Sequence, residues 1–178
     1  MDLRTERTKR SIANAFLELR KHKSLEKITV KELSELAFIN KATFYTHYHD
    51  IYDLSDQLED EFMDSIIHEI PHPESIITDP ALATRELADM LLAKNDITNI
   101  LFSGSRQNML SQKIYIALMK YITSNYPEQE SSLQRDIVLS IIIQGCFHAY
   151  QMFANDSNRD EVTSILGEVE TCLKNNFL

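Results

Sequence analysis

Glycine and proline are so scarce in this chain that few tight turns can be built into it. Its 178 residues include three glycines and four prolines, and no glycine occurs before Gly104. An all-β sandwich or barrel needs a turn signal about every 8–12 residues, and a phosphate-binding loop after an early strand needs closely spaced glycines. The sequence therefore excludes both and favours long, uninterrupted helices.

Apolar residues recur at spacings of three and four along most of the chain, as they do on the buried faces of amphipathic helices. In the first such stretch these residues are Ile12, Phe16 and Leu19. Helices are predicted over residues 4–21, 29–37, 41–48, 50–70, 81–102 with a break near 95, 107–125, 133–154 and 160–177. We therefore predict an all-α fold.

Several predicted helices begin at residues that favour the N-cap position. Thr29 followed by Glu32 matches a capping box, in which each side chain accepts a hydrogen bond from the other residue's backbone N–H. Asn40 and Asp50 are also predicted N-caps, and Asp79 stands before a proline that suits the first helical position. These residues define where the predicted helices start.

Residues 29–48 are predicted to form two short helices joined by a three-residue turn, which is the arrangement of a helix-turn-helix. On the second helix Phe44 and Tyr48 share one face, and small or hydrogen-bonding side chains occupy the other. A short solvated helix in an ordinary bundle is the alternative interpretation. The candidate DNA-contacting residues are Thr29, Lys31, Lys41, Ala42, Thr43, Tyr45, Thr46 and His47.

Charge is distributed unevenly along the chain. Residues 1–49 contain ten Lys and Arg against six Asp and Glu, whereas residues 50–178 contain eight against twenty-one, giving a net charge of −9. A basic segment on an acidic body is the footprint expected when one end contacts a polyanion. We predict a DNA-binding domain over residues 1–49 and a helical regulatory and dimerisation domain over residues 50–178.

Three segments resemble the N-terminal DNA-binding domain of the TetR family of bacterial transcriptional regulators: Ile28–Ala37, Asn40–Tyr48 and Asp53–Leu54. The resemblance covers roughly residues 8–58, and the Lys-Ala-Thr-Phe-Tyr-Thr-His-Tyr segment is its most specific part. It implies a homodimer that binds an operator palindrome, usually as a repressor that a small-molecule effector releases. Family members touch DNA at the positions of Thr29, Lys41, Thr43, Tyr45 and His47.

Two residues depart from that family pattern. Phe38 stands where the family often has a turn glycine, so we expect either a different turn or a Phe38 side chain packed against the body. Ile51 replaces a lysine that usually grips a phosphate, which is expected to weaken affinity and reduce its salt dependence by about one charge. Residues 40–58 also resemble activators of dihydroxyacetone kinase operons. The alternative function is thus a helical dimer that acts as a protein-interaction module or a protein-partnered coactivator with weak DNA affinity.

The helix predicted over residues 133–154 is apolar around most of its circumference, so it needs a second surface to bury it. With the helix predicted over residues 160–177, it predicts a symmetric four-helix dimer interface; a monomeric core is the alternative. The predicted interface residues are Ile141, Gly145, His148, Ala149, Met152, Ile165, Val169 and Leu173.

Methionine and aromatic residues of the body are candidates for an effector cavity, although the same spacing is typical of ordinary core packing. The predicted effector residues are Phe62, Ile66, Met90, Phe102, Met109, Tyr115, Met119 and Tyr150. Because the fourth helix is predicted to join the DNA-binding domain to the body without a linker, a tilt of that helix would change the spacing of the two DNA-binding domains in a dimer.

Other classes of function find little support. No serine lies in a glycine-rich turn of the kind that presents a catalytic nucleophile. Pro71 interrupts the helix between His68 and His72, so these two histidines do not form a metal site. We therefore predict no enzyme activity, metal or cofactor. The acidic residues between 53 and 64 are expected to form a solvated face. The polar first ten residues do not form a signal peptide and the apolar run over 137–147 is shorter than a membrane span, so a soluble, cytoplasmic protein without a membrane partner is expected.

Overall fold

The computed structural model describes residues 3–127, 132–155 and 157–177, and this part of the chain is all-helical with no β-strand. Its helices are α1 (Leu3–Arg20), α2 (Val30–Leu36), α3 (Lys41–Tyr45), α4 (Ile51–Glu69), α5 (Ser75–Thr78), α6 (Pro80–Ala93), α7 (Asn95–Leu101), α8 (Met109–Asn125), α9 (Leu133–Phe153) and α10 (Arg159–Phe177). The all-α prediction is confirmed.

The predicted N-caps are also confirmed. Each of four side-chain oxygens accepts a hydrogen bond of 2.8–3.2 Å from the backbone N–H three residues later; the four residues are Thr29, Asn40, Asp50 and Asp79. The second half of the predicted capping box is wrong, because the Glu32 carboxylate pairs with Lys23 Nζ and not with the Thr29 N–H.

The end of α3 and the presence of α5 differ from prediction. α3 ends at Tyr45 and not at Tyr48, since its last turn tightens: the His47 N–H donates to the Phe44 carbonyl oxygen, three residues back, at 2.9 Å. The stretch between Pro73 and Asp79 forms the additional short helix α5. Both differences involve single turns, in which a few backbone hydrogen bonds decide the conformation.

The chain packs as two compact units. The first consists of the chain up to Phe62 together with Asp96–Asn108, and the second consists of Met63–Asn95 and the chain from Met109 onward. The predicted functional boundary at residue 49 does not coincide with this packing boundary, which falls inside α4. Residues 96–108 belong to the first unit although their sequence neighbours on both sides belong to the second.

The first unit is built around side chains from α1 to α4 that are fully removed from solvent. These are Ile12, Phe16, Leu33, Phe44 and Leu54, each 0% exposed. α1 packs against α2, and α2 packs against α3. Burial of each such side chain contributes about 1.5–3 kcal/mol, so the short α3 is held in place by its packing and not by its length.

An ion-pair network joins α4 to the residue 96–108 segment inside the first unit. Glu59 is 0% exposed and accepts hydrogen bonds from Arg106 Nε at 2.8 Å and from the Ser55 hydroxyl at 2.7 Å, and Arg106 also pairs with Asp56. The hydrogen bond with Glu59 raises the pKa of Arg106, and this effect outweighs the lowering of the pKa by burial. The predicted solvated acidic face is therefore wrong at Glu59, because a partner distant in sequence buries it.

The second unit has a core where α6, α9 and α10 meet. Its buried members are Ala88, Val138, Ile142, Cys146, Tyr150 and Leu166. α10 approaches α6 so closely that a Cβ added to Gly167 would lie 2.8 Å from the Ala81 Cβ. A residue without a side chain is therefore needed at this crossing.

Candidate nucleic-acid interface

α3 has one inward and one outward side, as its sequence predicts. Phe44 is 0% exposed and Tyr48, just beyond the helix, is 4% exposed. Their rings lie 5.7 Å apart by centroids, and burial raises the pKa of Tyr48 to about 12, so its phenol stays neutral. This aromatic anchor fixes which residues of α3 point outward.

All eight predicted DNA-contacting residues belong to the first unit, and none of them is buried. We call six of them the α3 surface: Lys41, Ala42, Thr43, Tyr45, Thr46 and His47. Four of the six are exposed, whereas Thr43 and His47 are half-buried. Thr29 and Lys31 are exposed at the start of α2. The α3 surface is small and polar, and is crossed by a single large ring, that of Tyr45.

Two hydroxyl groups of the α3 surface already donate hydrogen bonds within the chain. The Thr43 hydroxyl donates to Asn40 Oδ1 at 3.0 Å, and the Thr46 hydroxyl donates to the Thr43 carbonyl oxygen. Each keeps its lone pairs and its methyl group for other contacts. Beside the half-buried His47, the side-chain donors of this surface are therefore the Lys41 ammonium and the Tyr45 phenol.

Tyr45 is oriented by its neighbour. Its ring meets the buried Phe44 ring edge to face, with centroids 5.5 Å apart and planes at 84°, while the residue remains 57% exposed. Such aromatic pairs are worth about 0.5–1.5 kcal/mol beyond their area. The phenol is thus presented to solvent from a fixed ring.

Phe38 occupies the turn between α2 and α3 in a left-handed conformation, with φ at +56°. The Phe38 N–H donates to the Glu35 carbonyl oxygen at 3.3 Å, and the Ile39 N–H donates to the Ser34 carbonyl oxygen at 3.0 Å. This is the Schellman motif that glycine usually completes. The expected packing of Phe38 against the body is wrong, because its side chain is 94% exposed.

The start of α4 offers no positive charge to a phosphate. Ile51 is buried, at 6% exposed. Next to it, Asp53 accepts hydrogen bonds from the Gln57 amide at 3.0 Å and from the His49 N–H at 2.7 Å. These bonds lower the pKa of Asp53, so it remains ionised, and the expected loss of one phosphate contact at this edge stays a prediction.

The predicted effector residues are divided between the two units. Phe62 and Phe102 lie in the first unit, with ring centroids 6.4 Å apart, and the other six lie in the second unit. A cavity of about 590 Å³ lies in the second unit, and none of the eight predicted residues lines it. Most of its lining residues are apolar, with isoleucine and leucine the commonest, and such residues carry no sequence signal that separates a cavity from a core.

The predicted interface residues lie largely on the surface of the second unit. Ile141, Met152, Ile165 and Val169 are between 46% and 68% exposed. Gly145 and His148 are exposed too, whereas Ala149 and Leu173 are half-buried. A Cβ at Gly145 would meet nothing within 4 Å. Apolar side chains on α9 and α10 therefore remain uncovered in the single chain.

The expectation of no membrane partner stays a prediction, although α9 is long and apolar. Over its 21 residues it is long and apolar enough to cross a bilayer by length and composition, and it alone passes that test within the part of the chain that the structure describes. The predicted apolar run over 137–147 underestimated it, because the helix extends beyond the run at both ends. The same composition is typical of a helix that pairs with another protein surface.

Among the described residues, no group of three or more His, Cys, Asp or Glu side chains could hold a metal ion. No family model, curated protein or solved structure matches this chain. The assignment of function therefore rests on the residue pattern and on the geometry of the two units.

Proposed function

We propose that this chain is a homodimeric, sequence-specific DNA-binding transcriptional regulator. The observation that carries the proposal is the α3 surface, on which small and polar side chains face solvent opposite the buried Phe44 and Tyr48. Ala42, Thr43 and Thr46 have side chains smaller than leucine, so this part of the surface can approach base edges closely. The proposal makes α2, the Phe38 turn and α3 a helix-turn-helix, with α3 in the major groove.

The proposed contacts follow from the chemistry of the exposed groups. Lys41 and Tyr45 donate to bases or phosphates, and threonine methyl groups suit the methyl group of thymine. At the start of α2, Thr29 and Lys31 are placed to contact phosphate, which positions the protein without specifying sequence. Lys31 Nζ lies 4.0 Å from Glu35 Oε1, with both side chains about 70% exposed, and such a pair holds its lysine only weakly.

The uncovered faces of α9 and α10 support the homodimer. A two-fold axis through them would bury apolar side chains from both chains in one four-helix interface. A dimer also has two α3 surfaces, as a palindrome with half-sites about 34–36 Å apart requires. We propose that the protein acts in the cytoplasm as a repressor, with a small-molecule effector that favours the form unable to bind DNA.

The DNA-binding part is tested by selecting duplexes from a random pool with the full-length protein. The expected product is a palindrome bound as a dimer. Lys41→Ala should weaken binding to every selected duplex and lower the salt slope by about one. Lys21→Ala is the matched control, since Lys21 is an exposed cation just after α1 that pairs with Glu18; its salt slope should equal that of the unaltered protein.

Tyr45→Phe tests base recognition, because it removes the phenol and keeps the ring that packs on Phe44. A loss of about 1–3 kcal/mol confined to particular base pairs is expected. Equal binding by Tyr45→Phe, together with an unchanged slope for Lys41→Ala, would contradict the assignment of the α3 surface.

The dimer is tested at Gly145, where a side chain meets open space within the protomer. Gly145→Arg should convert the dimer to a monomer in light scattering and abolish specific DNA binding, whereas Gly145→Ala should remain a dimer. A dimer that survives Gly145→Arg would refute the placement of the interface.

A protein-interaction module remains the second candidate, and the exposed ring of Phe38 and the buried Ile51 favour it. Neither side chain offers a positive charge or a hydrogen-bond donor to DNA. An exposed aromatic ring is typical of surfaces that bind proteins. If the full-length dimer selects no duplex sequence, this second function replaces the first.

A further inference from the structure

The cavity of the second unit has the size of a small-molecule site. Its volume is about 590 Å³, and ligand sites in proteins usually enclose about 300–1,000 Å³. Its lining residues come from α5, α6, α8, α9 and α10. A side chain or two would not fill it, so either a ligand or several water molecules would occupy it.

The walls of the cavity are aliphatic for most of their extent. Leu87, Leu118, Ile122, Ile142 and Phe147 line it and are all buried. Water gains too few hydrogen bonds among such side chains to be held there. An alkyl chain fits these walls because it replaces that water without leaving a polar group unsatisfied.

Apart from Thr84 on α6, whose hydroxyl donates to the Glu170 carboxylate at 3.1 Å, the polar lining residues lie near the start of α9 and in the last turns of α10. Arg135 and Lys174 are half-buried there, with Gln134 beside them. Gln134 Nε2 donates to the Phe177 carbonyl oxygen at 2.7 Å, which ties the two helix ends together. Lys174 Nζ donates to the Ile77 carbonyl oxygen of α5 at 2.8 Å. A lysine ammonium has three protons, so Lys174 retains donors for a ligand.

Within the described part of the chain, the charged residues that line this cavity are the two cations Arg135 and Lys174. We infer that the cavity binds a straight-chain alkyl carboxylate, with the chain among the isoleucine and leucine side chains and the carboxylate between Arg135 and Lys174. Arginine and lysine form their stronger hydrogen bonds with carboxylates. An alkyl cation of equal length would place its positive charge beside the positive charges of Arg135 and Lys174.

The alkyl carboxylate is also the effector of the proposed regulator, and this part of the inference rests on the proposed function. Arg135 and Lys174 belong to the same two helices that carry the uncovered apolar faces. A ligand held between them shifts the dimer toward whichever helix arrangement binds the ligand better. Binding of the carboxylate and binding of DNA are therefore measured separately.

The experiment uses full-length protein and titration calorimetry with octanoate, dodecanoate and hexadecanoate, each kept as monomers in solution. One of the three is expected to bind at one site per chain and to raise the melting temperature. Dodecyltrimethylammonium, the cationic probe, should bind at least tenfold more weakly than dodecanoate. Cosedimentation of the protein with phosphatidylglycerol vesicles should stay at background; strong cosedimentation would instead make a membrane the source of the alkyl chain and overturn the inference.

Two variants test the carboxylate contacts. Arg135→Gln and Lys174→Gln should each weaken carboxylate binding about tenfold, the loss of one charge-assisted hydrogen bond, and leave dodecanol binding within about twofold. Lys120→Gln is the matched control, because Lys120 is an exposed α8 cation outside the cavity. Ala83→Phe, on the α6 wall, should block both probes.

The outcomes separate the site from the proposed function. No carboxylate binding, or equal binding by the double variant Arg135→Gln/Lys174→Gln, would refute the site. Carboxylate binding that obeys these expectations without changing affinity for the selected duplex would keep the site and reject its role as effector. Failure of the protein to select any duplex would reject the proposed function and leave the site intact.

Discussion

Replacing Phe38 by glycine is expected to stabilise the protein, although it removes a large aromatic side chain. Phe38 has φ at +56° and is 94% exposed. A left-handed conformation costs a residue with a side chain about 1–2 kcal/mol. Glycine adopts this conformation without that cost. It also makes the unfolded chain more flexible, which lowers the free energy of unfolding by about 0.4–1 kcal/mol.

The net gain worked from these terms is about 0.5–1 kcal/mol, because the exposed ring contributes almost no burial. For a chain of this length that corresponds to a rise in melting temperature of about 1–4 °C. Urea unfolding followed by circular dichroism measures the free energy directly.

Phe38→Ala separates the backbone from the ring. Alanine keeps the left-handed strain and loses the ring, so its stability should remain within about 0.5 kcal/mol of that of the unaltered protein. If glycine destabilises the protein, or if alanine stabilises it as much as glycine does, the argument from backbone strain is refuted.

Three further substitutions test the packing. Asn40→Ala should cost about 1–2 kcal/mol in urea unfolding, since it removes the cap of α3 and the partner of the Thr43 hydroxyl; Asn40→Asp should retain most of that stability. Arg106→Met should cost about 3–5 kcal/mol because it leaves Glu59 buried without its cation, and adding Glu59→Gln should recover part of the loss; full stability of the single variant would refute the network. Burial raises the pKa of Glu170, so its folded state binds the proton more tightly than the unfolded state, and stability falls as pH rises above the ordinary carboxyl pKa. Glu170→Gln should therefore gain most over the unaltered protein near pH 8 and least near about pH 4, and urea midpoints at the two pH values check this.

The sites differ in how far the sequence could predict them. The outward side of α3 was predictable, because Phe44 and Tyr48 are four residues apart and no large aliphatic side chain lies opposite them. Burial of Glu59 was not, since its partner Arg106 is 47 residues away. The cavity was not predictable either: isoleucine and leucine line it, and these residues fill an ordinary core equally well.

The amino-acid sequence alone determined every helix except the short α5, and most of the helix ends. The N-caps act over three residues and the helical hydrogen bonds over four, so the information for them is local. Tertiary structure decided which unit residues 96–108 join, which acidic side chain of α4 is buried, and where the second unit leaves space. Those outcomes depend on contacts between residues far apart in the chain, where shape and charge must match across helices whose own sequences specify only an apolar face.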